Sequence, residues 1–71
     1  MTKTVYLSER GDDKNDGLTP ETAVLSGKRA VEVALKEGAR AFNVTGSHTY
    51  VRRMNADIEM QGRTNITHRI R

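Results

Sequence analysis

Arginine is the residue type whose placement along this 71-residue chain invites a chemical reading. Five arginines, at positions 52, 53, 63, 69 and 71, stand in the last third, opposed only by Asp57 and Glu59. Residues 1–46 carry seven basic and seven acidic side chains, so the formal excess of +3 resides after them. A guanidinium is planar and binds phosphate or carboxylate through two parallel hydrogen bonds, which an ammonium cannot do. Tyr50 and His48 sit beside Arg52 and Arg53 in sequence. Cations next to an aromatic ring suit a surface that follows a phosphate backbone and stacks on bases. Arg52, Arg53, Arg63, Arg69, Tyr50 and His48 are therefore the candidate anion-binding or nucleic-acid-binding residues. The competing reading is a solvated face that keeps a small domain soluble, since dedicated nucleic-acid domains carry a denser basic stripe.

Other chemistries find less to work with. There is no cysteine, which excludes a disulfide framework, a thiolate metal site and a cysteine nucleophile. The two histidines, His48 and His68, have no metal-ligand spacing, and Ser8, Ser26 and Ser47 follow no nucleophile pattern. Gly11 and Gly17 fit neither phosphate-loop template. The crowded stretch Asp12-Asp13-Lys14-Asn15-Asp16-Gly17 invites comparison with a calcium loop, which needs oxygens at positions 1, 3 and 5, glycine at 6 and glutamate at 12. With Gly17 at position 6, Asp12 and Asp16 fit, but Lys14 and Ala23 fall at positions 3 and 12. A turn held by short Asx side chains is the simpler account. The expectation is no enzyme, no metal and no cofactor.

The elements that must position these residues begin with a short strand, residues 4–8, in which Val5 and Leu7 share one face. The Asx-rich loop follows, and Thr19-Pro20-Glu21 resembles a helix entrance. A helix is predicted over about 26–37, with Ser26 as N-cap and Gly38 as a left-handed terminator. Its apolar stripe is Gly27, Ala30, Val31, Ala34 and Leu35, leaving Val33 as an exposed or half-exposed exception. Ala41–Thr45 reads as a strand that could lie parallel to the first across the helical crossover. Gly46-Ser47 has the form of a type II′ hairpin turn. On that reading His48–Arg53 pairs back antiparallel, with His48, Tyr50 and Arg52 on one face. Ala56–Gln61 and Thr64–Ile70 each alternate apolar and polar residues and read as two further strands. Asp57 and Glu59 would then pair across strands with Arg69 or Arg71.

The string Asn15-Asp16-Gly17-Leu18-Thr19-Pro20, after Val5-Tyr6-Leu7-Ser8 and before a helix and Ala41-Phe42-Asn43-Val44, resembles the N-terminal cap of right-handed parallel β-helix proteins of the pectate-lyase-like group. The resemblance covers about residues 4–50. It implies a capping unit rather than an active site, because catalytic residues of that group lie on later coils. β-helix trimers occur among phage tail proteins, so the resemblance also implies a phage-related or prophage-related accessory protein.

A chain of this length forms one domain, residues 1–71, and buries only about 60% of its unfolded surface. The fold class expected is α+β, in the order β-α-β-β-β-β, with one helix packed on a mostly antiparallel sheet. The expected core is Val5, Leu7, Ala30, Val31, Ala34, Leu35, Phe42, Val44, Val51, Ile58 and Met60, with Ile66 and Ile70 at its margin. No stretch approaches membrane-spanning length and no secretion signal opens the chain, so a cytoplasmic protein without a membrane partner is expected. A small core and open sheet edges point to a structural or protein-interaction module that self-associates or binds a protein partner. Nucleic-acid binding through Arg-bearing C-terminal strands is the alternative.

Overall fold

The structure, a computed structural model, describes residues 3–70. The chain runs β1 (Thr4–Ser8), a 3₁₀ turn (Pro20–Thr22), α1 (Gly27–Glu37), β2 (Ala41–Gly46), α2 (His48–Met60) and β3 (Ile66–Ile70). The three strands form one sheet in the order β1-β2-β3. Both pairings are parallel, with Val5 beside Phe42, Leu7 beside Val44, Phe42 beside Ile66 and Val44 beside His68. Each helix is the crossover between neighbouring parallel strands, the connection such strands require. α1 packs on β1 and α2, and α2 packs on β2 and β3, so both helices cover one face of the sheet.

The first half follows its local signals. Ser26 caps α1, its Oγ accepting from Arg29 N at 3.2 Å, and Gly38 closes the helix at φ 71°. That left-handed conformation carries a steric cost for a side chain with Cβ, and glycine has none. Thr19 caps only the short 3₁₀ turn, with Pro20 in its first position. The loop between β1 and α1 seals the outer edge of β1. Tyr6 N donates to Gly17 O (2.7 Å), Val24 N to Tyr6 O (2.9 Å) and Ser8 N to Val24 O (3.0 Å).

The second half departs from the expected antiparallel sheet. The two strands anticipated at 48–53 and 56–61 are a single helix, α2, and the sheet is entirely parallel with three strands. Gly46-Ser47 makes no hairpin. Ser47 is the N-cap of α2, its Oγ accepting from Tyr50 N at 3.3 Å. The alternation of Ala56, Ile58 and Met60 matched a strand, but Val51, Met54 and Ile58 recur at helical spacing, and those three are the residues α2 buries. Met60 is therefore not core: it is 85% exposed.

Leu35 is likewise corrected, being 68% exposed, while Val33, expected outside, is buried. α1 turns its Val33 side inward because it is flanked by both the sheet and α2, which widens the buried arc beyond one stripe. The largest fully buried side chains are Phe42, Leu7, Ile58, Val5, Val24 and Val44. Ile66 is half-buried against this core, and Ile70, expected at its margin, is 47% exposed.

Candidate functional site

Strand β3 and the adjoining side of α2 carry the candidate residues. α2 has 3.6 residues per turn, so its faces follow from its contacts. Tyr50 Oη donates to Leu25 O at 2.6 Å, and a Cβ on Gly27 would lie 3.0 Å from Asp57 Cβ. Tyr50 and Asp57 therefore mark the flank facing α1. Val51, Met54 and Ile58 point into the core. His48, Arg52, Asn55 and Glu59 fall on the opposite flank, above the outer side of β3. His48, Arg52 and Glu59 are exposed and Asn55 is half-buried.

The expected grouping of His48, Tyr50 and Arg52 on one strand face is thus corrected. His48 and Arg52 share a helix flank, while Tyr50 lies on the other side of α2. Its ring is half-buried, and Gly46 makes room for it: a Cβ there would come within 2.8 Å of the ring. Burial pushes the Tyr50 hydroxyl well above the usual tyrosine range, and the nearby Asp13 and Glu9 carboxylates add to the rise. Tyr50 packs against Gly46 and is hydrogen-bonded to Leu25.

The arginines do not assemble on one face. Arg52 and Arg53 are exposed on α2, and Arg63 is half-buried between α2 and β3. Arg69 stands opposite Thr45 on the sheet face that the helices leave open. Arg71 lies outside the described residues. The expected cross-strand pairs of Asp57 and Glu59 with Arg69 are replaced by placement on α2; among the described residues the ion pair is Lys3–Glu37, at 3.2 Å.

The Asx loop is occupied with its own backbone. Asp12 Oδ1 accepts from Lys14 N (2.8 Å), and Asp16 Oδ1 accepts from Leu18 N (3.0 Å) and Thr22 Oγ1 (2.7 Å). Asp13 Oδ1 accepts from Leu25 N and Ser26 N, each at 2.9 Å, and its Oδ2 accepts from Ser26 Oγ at 2.9 Å. Desolvation pulls the Asp13 carboxyl upward, but the bonds from Ser26 and Leu25 and the charge of Arg29 outweigh it and hold the group below its usual value. Among the described residues no cluster of three or more acidic or histidine side chains is placed to hold a metal ion.

Two surfaces among the described residues bear on the candidate residues. One is a groove of about 590 Å³ on the open sheet face, floored by the rows Tyr6-Asn43-Thr67 and Ser8-Thr45-Arg69. The other is the outer edge of β3, which sequence reasoning missed because a five-strand, mostly antiparallel sheet put its edges elsewhere. Phe42 N donates to Asn65 O at 2.9 Å, which sets the ladder phase. In a parallel pair alternate residues bond to one neighbour, so the backbone groups of Ile66, His68 and Ile70 face away from β2. Ile66 N turns back to Thr64 O at 3.0 Å.

No protein family, curated protein or solved structure matches this chain. The likeness of residues 4–50 to a β-helix cap rests on its motif string. No helix among the described residues is long and apolar enough to cross a membrane.

Proposed function

We propose that the protein is an interaction module that binds protein by strand addition at the β3 edge. The observation that carries this reading is the asymmetry of the sheet. The β1 edge is closed by hydrogen bonds from the chain's own loop, whereas His68 and Ile70 present backbone donors and acceptors outward. An open parallel edge recruits a further strand unless it is blunted or covered. Ile70 adds an exposed apolar side chain to that edge. The arginines are divided between the helix layer and the open sheet face and do not carry this reading.

His68→Pro is the discriminating variant. Its N–H faces away from β2, so proline removes an edge donor without breaking the internal ladder. Sedimentation velocity on the purified protein should show association that His68→Pro abolishes while the far-ultraviolet spectrum holds and the urea midpoint matches that of the wild type diluted to monomer. Thr67→Pro, which removes a bond to β2, should instead lower stability. Association unchanged in a folded His68→Pro protein overturns the reading. Oligonucleotide binding that weakens with salt and with Arg52→Ala and Arg53→Ala would support the nucleic-acid alternative instead.

A further inference from the structure

Resting on strand addition at β3, we propose that the added strand is β3 of a second copy, related by a two-fold axis through His68. Antiparallel pairing about that point is consistent with the ladder phase. His68 of one copy exchanges both backbone bonds with His68 of the other, and the Ile70 N–H meets the Ile66 carbonyl across the axis. The outward-facing residues are those that an antiparallel hydrogen-bonded register requires. The result is one continuous sheet in the order 1-2-3-3-2-1.

The side chains agree with this register. Ile66, His68 and Ile70 neighbour Phe42, Val44 and Gly46 and so share their helix-covered face. Pairing about His68 sets Ile66 against Ile70 twice, covering the apolar surface that Ile70 exposes in the single chain. On the open face Thr67 meets Arg69, so the two Arg69 side chains are staggered rather than opposed.

The helices agree as well. α2 lies over β2 and β3, so the two copies of α2 would be separated by two strand spacings, about 9.6 Å. Packed helices lie about 8–10 Å apart. The facing flanks carry His48, Arg52, Asn55 and Glu59, with the cation in the first half and the carboxylate in the last turn. The axis runs the two helices antiparallel, bringing Arg52 of each copy toward Glu59 of the other. A parallel arrangement would set Arg52 on Arg52. A wholly acidic partner strand would satisfy the arginines but oppose Glu59 and leave the isoleucines without apolar mates, so the second copy is the better occupant.

The chain has no cysteine, so one introduced thiol reports the register. His68→Cys should form a disulfide-linked dimer under mild oxidation, because paired Cα atoms in this register are about 5.5 Å apart, within disulfide reach. Thr67→Cys should not, its copies being offset along the strands and beyond that reach. Glu59→Arg should weaken the dimer roughly tenfold in sedimentation equilibrium, and the exchange Arg52→Glu with Glu59→Arg should restore it. A dimer that crosslinks through Thr67→Cys instead, or is indifferent to Glu59→Arg, overturns the two-fold register. A monomer at every concentration overturns the second copy as occupant. In that event titration with an eight-residue alternating Glu-Val peptide separates the remaining questions. Binding lost in His68→Pro keeps strand addition standing with a different partner, and no binding removes strand addition too.

Discussion

Three side chains hold the first helix, its preceding loop and the second helix in register, and each can be removed singly. Tyr50 Oη reaches across the helix layer to Leu25 O at 2.6 Å. Tyr50→Phe leaves that carbonyl without this donor while keeping the ring in place. The expected loss is about 1 kcal/mol, read as a lower urea midpoint at unchanged slope. Asp13 collects three donors from Leu25 and Ser26 ahead of α1. Its folded pKa is depressed, so its contribution is present above the unfolded value of 3.8 and is lost as pH falls through the folded one. Asp16 shifts in the same direction through its bonds from Leu18 and Thr22. Urea titrations at pH 6 and at pH 2.5 should show the wild type losing more stability than Asp13→Asn, whose side chain does not titrate. Equal losses in the two proteins would remove Asp13 from the acid response. Glu9 is the third, its carboxylate accepting from Ser47 N (3.1 Å) and Ser47 Oγ (3.0 Å) where α2 begins.

At the scale of elements, α2 is the one whose identity decides the architecture. Its entrance is defined by Ser47, whose Oγ accepts from Tyr50 N while its own groups donate to Glu9. Ser47→Ala loses the cap and the hydroxyl bond to Glu9 together, and about 1 kcal/mol is expected from thermal or urea unfolding. A loss well below that would mean the helix start is held by packing instead. The exposed apolar residues Met60, Leu35 and Ile70 differ in where they stand. Met60 and Leu35 project from the outer surfaces of the helices, whereas Ile70 lies at the open sheet edge. Met60→Gln should change stability by less than about 0.5 kcal/mol and leave sedimentation unaltered. Replacing Ile70 with Gln should weaken self-association while leaving the monomer's midpoint near that of the wild type.

The whole molecule is asymmetric along the sheet, from the sealed β1 edge to the open β3 edge. Five acidic side chains, Glu9, Asp12, Asp13, Asp16 and Glu21, lie in or beside the loop at the first edge, and Arg69 stands on the strand at the second. Much of this was legible in the residues and some was not. Strand β1, the Asx loop, the two caps of α1 and the faces of β2 are written in local chemistry. Short polar side chains bond within a few residues, Ser26 accepts from the next turn, and Gly38 takes a conformation other residues resist. Asp13 is the exception, its bonds reaching on to Leu25 and Ser26; the others need no distant partner, so the sequence alone determined them. Residues 47–61 satisfied two periods at once. Ala56, Ile58 and Met60 alternate, while Val51, Met54 and Ile58 return at helical spacing, and Thr49-Tyr50-Val51 favours strand by composition. Packing chose the helix, because only that arrangement lays Val51, Met54 and Ile58 on the core beside Phe42 and Val44 and carries Tyr50 to Leu25. With a helix there, β3 had to return parallel to β2, and the candidate arginines were divided between the two layers. Tertiary structure thus decided the sheet direction, the open edge and the flank of α2, since each depends on which of two locally acceptable periods buries its apolar residues against the rest of the chain.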